Sequence, residues 1–282
     1  MLEMKLDFFT NSKGFPFFIQ FGEHTGEMYL HSHSDFSELV IVLEGKAINQ
    51  VGKESFYVEK GDVFVMRKNS SHAYLEAEEF KICNIMFDCD ALFETGGDIK
   101  ECEGFHALFL VNPLTGDSFT SRFKLPGDRL KELKKIVTAA LKEYEGNEPA
   151  RETMLLAYFT QIAVSLSRCY EAVEARKEIP GIAAAAAYME RNFSENISAE
   201  KLLEISHYSQ RHFIRLFTEC YKMPPHKYLQ DIRIKHACLL LTQTNRSITD
   251  IAVSCGFNNS SFFTRAFKSQ MNLTPTEYRK SN

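Results

Sequence analysis

Tryptophan is absent from the 282 residues, no two cysteines form a C-x-x-C pair, and no window approaches the roughly 18 consecutive apolar residues of a membrane span. Each absence excludes something. The cysteines, at 83, 89, 102, 169, 220, 238 and 255, are odd in number and scattered, which argues against a disulfide framework or a zinc finger. They read as free thiols, mostly in the core. The opening MLEMKLDFFTNSKG has no basic segment followed by an apolar one, so a cytoplasmic chain with no membrane partner is expected. At 44% hydrophobic residues the composition is too apolar for a disordered chain and suits two domains with their own cores.

The net charge of −4 hides a division. From Pro180 onward there are 13 Lys/Arg against 8 Asp/Glu, a surplus of +5, which leaves −9 for residues 1–179. A basic C-terminal part suits a phosphate backbone, although a surplus of this size also occurs on ordinary solvated surfaces.

Residues 15–90 alternate in the manner of strands. LVIVLEG, SFYVEKG and DVFVMRK recur between turn signals at Gly45, Gly52, Gly61 and Lys68-Asn69, the pattern of a small barrel or sandwich. Two helices are expected next. Leu130, Leu133, Ile136, Val137, Ala140, Leu141 and Tyr144 form one helical stripe, ended by Gly146, and Leu155, Phe159, Ile162, Leu166 and Cys169 form another. Such a pair, over about 126–172, serves equally as a lid on the barrel or as a dimer seam. The charged stretch broken by Pro180-Gly181 marks a linker at 173–179. Beyond it AAAAAYMERNF, a capping pattern headed by Ser198, and one long amphipathic helix after Pro224-Pro225 make 180–282 all-α.

This C-terminal part repeats itself. Phe213-x-Arg215-x-Phe217 returns as Phe263-x-Arg265-x-Phe267, and the offset of 50 continues through Pro225 with Pro275 and Tyr228 with Tyr278. Each copy reads as helix, turn, helix. Helical periodicity turns Phe213, Leu216 and Phe217, and likewise Phe263, Ala266 and Phe267, to the core. It leaves Gln210, Arg211, Ile214 and Arg215 facing outward in one copy, and Ser260, Ser261, Thr264, Arg265 and Lys268 in the other, with Asn259 just ahead. A single such face is more often merely solvated. Two copies joined by one long helix can instead present reading helices about 34 Å apart, one turn of DNA, with Arg on guanine and Ser or Thr on base edges or phosphate.

The stretch from Ser198 to Arg279 resembles the DNA-binding domain of the AraC/XylS family of bacterial transcription regulators. The resemblance is carried by Arg233, Ala237, Leu240, Leu241, Ile248, Ile251, Ala252, Gly256, Phe257, Phe263, Arg265, Phe267, Lys268, Thr274, Pro275, Tyr278 and Arg279. It implies two helix-turn-helix units that bind adjacent major grooves of double-stranded DNA, in a regulator that meets RNA polymerase if it activates. The first copy has Leu203 and His207 where the family has alanine and glycine, so a less tight turn is expected there.

The N-terminal part carries a second constellation. His31-x-His33, then Glu38, then Gly45 has the spacing of the first cupin motif, and Gly61 with His72 is similar to the second, with Arg67 and Asn69 in place of its proline and glycine. The resemblance implies a small double-stranded β-barrel over residues 15–90. His31 and His33 share a strand face, and Glu38 and His72 can converge on them. Three readings stay open: a Zn, Mn or Fe site with all four as ligands, a sugar or polyol site using the same groups as hydrogen-bond partners, or inherited polar groups of the barrel. Tyr29, Phe36 or Tyr74 would supply the aromatic platform of a sugar site.

Together these expectations describe two domains: a cupin-like effector-sensing domain at 1–172 and an AraC-type DNA-binding domain at 180–282. The function expected is a ligand-responsive transcription regulator of carbohydrate-utilisation genes, dimeric, with no required cofactor and no catalytic residues. The resemblance extends to family members responding to sugars such as rhamnose. The alternative is a metal-dependent cupin enzyme, such as a dioxygenase or isomerase, fused to a DNA-binding domain.

Overall fold

In the computed structural model, which describes residues 2–10, 15–93, 97–111, 114–115, 118–119, 121–174 and 181–281, the alternating runs form strands. They are β1 (Leu2–Met4), β2 (Phe17–His33), β3 (Ser37–Val51), β4 (Glu54–Glu59), β5 (Asp62–Met66) and β6 (Ser71–Phe87). Two short helices, α1 (Cys89–Leu92) and α2 (Glu103–Phe105), and the strands β7 (Leu114–Thr115), β8 (Ser118–Phe119) and β9 (Arg122–Lys124) follow. The main sheet runs β1-β2-β6-β3-β5-β9, with β4 added to β3.

Three of these strands are far longer than the runs that signalled them, and they bend. The β3–β6 register slips between Val42 and Lys46, where Gly45 has φ +72 and lies so close to the Glu78 and Glu79 carbonyls that a Cβ would stand 2.3 and 2.2 Å from them. A one-residue slip reverses which face each side chain takes. Val40 and Val42 before the bulge and Ala47 and Val51 after it, though out of phase, therefore join one buried cluster with Val58, Phe64, Tyr74 and Phe80. The bent sheet thus encloses an interior.

Helices α3 (Gly127–Glu145) and α4 (Arg151–Glu174) pack on this sheet. Phe159 lies 5.6 Å from Phe17, 4.7 Å from Phe87 and 5.6 Å from Phe93. Leu155, Phe159, Ile162 and Leu166 are all buried, so the α4 stripe is spent within its own unit as a cover. Of the cysteines, Cys83, Cys89 and Cys255 are buried. Cys102, Cys169, Cys220 and Cys238 are only half-buried, at the margins of packed faces, which corrects the mostly-core expectation.

The chain divides into units 1–179 and 180–282. The expected linker starts inside α4, and from residue 175 on it lies outside the described residues. The second unit is helical: α5 (Gly181–Arg191), α6 (Ala199–Ser206), α7 (Gln210–Tyr221), α8 (Pro225–Gln243), α9 (Ile248–Ser254), α10 (Ser260–Met271) and α11 (Pro275–Ser281). Ser198 and Ser247 cap α6 and α9 by accepting from the Lys201 and Asp250 amides at 3.2 and 3.0 Å.

The repeat survives in three dimensions. Phe217 meets Tyr228 edge-on at 5.4 Å and 74°, and fifty residues on Phe267 meets Tyr278 at 5.5 Å and 76°. Lys222 and Asn272 end α7 and α10 with the same φ of 60. The long α8 is not amphipathic as expected. Tyr228 packs on α7, whereas Ile234, Ala237 and Leu241 pack on α9 and α10, so burial changes side along its length.

The two turns differ in length. Residues 207–209 join α6 to α7, while residues 255–259 join α9 to α10, so the fifty-residue offset holds only downstream of the turn. His207 adopts the left-handed conformation, φ 57 and ψ 22, that the family's glycine would take without cost. Its amide still reaches the Leu203 carbonyl at 3.0 Å, so the turn is closed despite the missing glycine.

Two substitutions check this account by denaturant unfolding of the full chain. His207→Gly is expected to stabilise by about 1 kcal/mol, because it removes a left-handed non-glycine residue. Gly256→Ala is expected to cost about 2 kcal/mol or more, since φ there is +76 and a Cβ would stand 2.7 Å from the Phe193 carbonyl. Shifts of the same sign for both would contradict the assignment.

Candidate effector site and nucleic-acid interface

The four residues singled out by the cupin-like spacing meet inside the β unit. His31 and His33 end β2, Glu38 begins β3 and His72 begins β6, where it stands opposite His31 in register. The end of β3, at Val51, pairs with His72, yet Glu38 at the start of β3 also reaches it. That approach requires the sheet to close over its interior. One ligand atom from each residue lies within 4.8 Å of all the others.

These groups are buried, with His33 and His72 at 0% and His31 and Glu38 at 3% exposure. Glu38 Oε2 lies 3.2 Å from His72 Nε2 and 3.7 Å from His33 Nε2, close but out of line for a hydrogen bond. Burial pushes the His72 imidazole down to about 3. It pushes His33 down to about 4 against the opposing pull of Glu38, and lowers His31 as well. At neutral pH all three rings are therefore uncharged and carry a lone pair. His31 Nδ1 stands 3.0 Å from the Tyr29 carbonyl; donating its proton there leaves Nε2 as the free ligand atom.

The donor set fits a divalent ion. Four N and O atoms bound at about 2.1 Å in a tetrahedron stand about 3.4 Å apart, so this cluster, whose ligand atoms lie within 4.8 Å of one another, would draw together by about an ångström to hold an ion. Every atom of His33 and His72 that can take a partner lacks one, as does Glu38 Oε2.

The three aromatic candidates separate. Phe36 is buried and stacks on His33 at 4.5 Å and 21°. Tyr74 is buried and meets His72 edge-on at 5.5 Å. Tyr29 is 91% exposed and takes no part in the cluster, except through its carbonyl. The reason is an irregularity in β2: Met28 pairs with Tyr74 and His31 with His72, so three residues on one strand span two on the other. This extra residue turns Tyr29 outward while His31 points in.

Sequence reading also missed polar residues of the same interior. Asn49 stands opposite Tyr74 in register, and Asn84 stands opposite Val40, a member of the interior cluster. Both amide atoms of Asn49, the Tyr74 hydroxyl and Asn84 Oδ1 are buried without a partner. Burial and the nearby Glu38 raise Tyr74 well above the usual phenol range, so its hydroxyl stays neutral. Half-buried His24 approaches Tyr74 at 5.9 Å. Alternation alone would have put Asn49 on the wrong face, because the bulge near Gly45 intervenes.

In the helical unit the outward residues are placed as their periodicity requires. Gln210, Arg211, Ile214 and Arg215 are exposed on α7, and Ser260, Ser261, Arg265 and Lys268 are exposed on α10, with Thr264 half-buried. Asn259 is committed to the helix: its side chain accepts from the Ser261 and Phe262 amides at 2.8 and 3.0 Å. The two arginines differ. Arg215 bridges to Glu219 at 2.8 Å, whereas among the described residues Arg265 has no hydrogen-bond or ion-pair partner. One phenylalanine departs from the core face, for Phe262 is 51% exposed.

Comparison with known proteins agrees with both halves. A helix-turn-helix domain model matches residues 202–281, and a cupin domain model matches residues 17–86. The HTH-type transcriptional activator RhaS of Enterobacter sp. (strain 638) is 24% identical over 248 residues, 88% of this chain and 86% of that protein. The HTH-type transcriptional activator RhaR of Klebsiella pneumoniae is 26% identical over 270 residues, 92% and 88% of the two chains. A crystal structure of a regulator with an AraC-type DNA-binding domain from Chromobacterium violaceum is 33% identical. It covers 36% of this chain and 90% of its own, with a TM-score of 0.34. A cupin domain joined to a duplicated helix-turn-helix domain, in the same order and over nearly the full length of these activators, places the chain in the AraC/XylS family of transcription regulators.

Proposed function

We propose that the protein is an effector-controlled regulator of carbohydrate-utilisation genes, and that its effector, a small polyhydroxylated molecule, is held in the interior of the cupin unit at 1–172. The observation that carries this reading is the set of buried, unpartnered donors and acceptors lining one enclosed interior. A buried polar group without a partner costs about 1–3 kcal/mol, so a ligand that satisfies several at once recovers a large share of its own binding energy. Asn49 offers an amide NH2 and a carbonyl, the neutral Tyr74 hydroxyl donates and accepts, and among the described residues every buried polar side-chain atom without a partner belongs to His, Glu, Asn or Tyr. Such a lining suits hydroxyls better than a multiply charged anion. The resemblance to rhamnose-type regulators points the same way.

His31, His33, Glu38 and His72 would hold a Zn, Mn or Fe ion, which would supply a Lewis-acidic centre for oxygen ligands in that interior. The protein's own groups bind and orient the effector. We read no turnover into the site: effector binding alone suffices to shift an equilibrium between arrangements of the chain with different affinity for DNA. The unit acts in the cytoplasm as a homodimer on paired operator half-sites, meeting RNA polymerase where it activates. Among the described residues no helix is long and apolar enough to cross a membrane.

DNA is read by α7 and α10. Gln210, Arg211, Ile214 and Arg215 from one helix and Ser260, Ser261, Thr264, Arg265 and Lys268 from the other meet adjacent major grooves, while Asn259 sets the start of α10.

Three outcomes are expected. Metal analysis of the purified chain should find about one divalent ion per chain, lost in His33→Ala together with its contribution to thermal stability; equal metal content in both proteins would remove the ion from the proposal. In a thermal-shift panel a sugar should raise the melting temperature and change operator affinity, and Glu38→Gln should abolish both effects while leaving effector-free DNA binding intact. A full response in Glu38→Gln would move the effector site elsewhere. Arg265→Ala should lose about 1 to 3 kcal/mol on the preferred site and relax choice at one position, whereas Lys268→Ala should weaken all sequences alike. Equal losses on specific and random DNA for Arg265→Ala would reduce it to a phosphate contact.

A further inference from the structure

Phe262 stands third in α10, behind Ser260 and Ser261 and one turn before Arg265. Its neighbour Phe263 is fully buried with Phe267 in the core of the helical unit, but Phe262 leaves about half its surface to solvent, 51%. A single exposed apolar side chain is ordinary on a protein surface. This one lies in the first turn of a helix whose exposed residues are otherwise serine, arginine, lysine and glutamine, the turn that reaches base edges when such a helix enters the major groove. Its ring also has a neighbour behind it: buried Phe257 lies 6.1 Å away at 50°. Phe257 is anchored in turn, by its amide to the Ala252 carbonyl at 2.9 Å and by the Arg233 guanidinium 5.8 Å over its face.

The major groove presents one apolar group among its donors and acceptors, the C5 methyl of thymine. We infer that Phe262 is a base-reading residue that recognises thymine through this methyl group, beside the base read by Arg265. Residues three apart on a helix have Cβ atoms about 5–6 Å apart, and stacked base pairs are separated by about 3.4 Å, so the thymine lies within one or two base pairs of that base. The partition of roles follows from chemistry. A phenyl ring has no donor or acceptor and cannot discriminate guanine, cytosine or adenine by hydrogen bonds, whereas burying a methyl against it removes apolar surface of both from water. The inference rests on α10 being a reading helix.

The test uses the full chain and a site selected from random duplex DNA. Each thymine of the site is replaced in turn by uracil, which lacks only the methyl. For the wild type, one replacement should weaken binding about fourfold, the loss of one buried methyl-sized group. Phe262→Ala should bind the thymine site more weakly than the wild type and be indifferent to that same replacement, and Phe262→Leu should keep part of the discrimination. The uracil arm needs no altered protein, so a folding defect cannot imitate it. If no replacement weakens wild-type binding, or if Phe262→Ala keeps the wild-type thymine-to-uracil ratio, the inference is overturned. Arg265→Ala separates the two levels: when it alters site choice while Phe262→Ala does not alter the ratio, α10 reads DNA without Phe262. If Arg265→Ala leaves site choice unchanged as well, the assignment of α10 falls, and the thymine contact with it.

Discussion

The contact on which the reading surface depends is made by two missing side chains. Gly181 opens α5 so close to the end of α6 that a Cβ would stand 2.1 Å from the Ser206 carbonyl, and Gly256 in the second turn is pressed against the Phe193 and Ser194 carbonyls beyond the other end of α5. The start of α5 therefore meets the end of α6, and the residues just after α5 meet the second turn. The middle of α5 is thin, with Ala183, Ala185, Ala186 and Ala187 fully buried, so backbones approach without a wedge between them. Arg233 of α8 fastens the far end, donating to the Phe193 and Glu195 carbonyls at 2.7 Å each. Besides α8, the segment from Gly181 to Glu195 therefore helps to set α7 and α10 relative to one another.

The β unit solves the opposite problem, since it must keep polar groups where a core would otherwise be. Bulges near Gly45 and in β2 change the phase of long strands, and each change brings a different set of side chains inward. The interior that results is apolar around Val40, Phe64 and Phe80 and polar around His72, Tyr74 and Asn49. Burying those polar groups without partners lowers the stability of the unit by the same energy that a ligand recovers on binding. A sensor gains from this arrangement, because a ligand that changes the stability of a state changes its population.

Local chemistry was legible in the sequence, and phase was not. The cap at Ser198, the stop at Gly146 and the paired prolines act over a few residues, so they could be read directly. The repeat was legible because it compares the chain with itself, and the Phe217–Tyr228 and Phe267–Tyr278 pairs keep the same geometry. The His/Glu cluster was legible through its spacing. Tyr29 was misplaced and Asn49 and Asn84 were missed because a bulge inserts one residue and reverses every face beyond it, with no sequence signal as strong as a glycine at each slip. The shape of α8 was misjudged for a different reason: amphipathicity assumes one partner, and this helix has one unit at its start and another along its second half.

The remaining asymmetry lies between the two arginines. Arg215 is held by Glu219 and approached by His212 Nδ1 at 3.4 Å, an arrangement that taken alone withdraws it from any base. Magnitudes argue otherwise. An exposed pair four residues apart on a helix is worth about 0.3–0.5 kcal/mol, whereas a bidentate arginine–guanine contact is worth about 1–3 kcal/mol of discrimination. The ion pair is therefore too weak to outbid a base. What the pair does alter is local charge, since Glu219 sets a negative group beside the α7 arginine. Arg265 has no such partner among the described residues. Between two helices of one design, α7 thus carries an arginine paired with an acidic residue that repels nearby phosphates, and α10 carries a free one among neutral and basic neighbours. On the proposed reading both arginines stay available to bases, and Lys268 beside Arg265 adds an attraction for the phosphate backbone that Glu219 subtracts on α7.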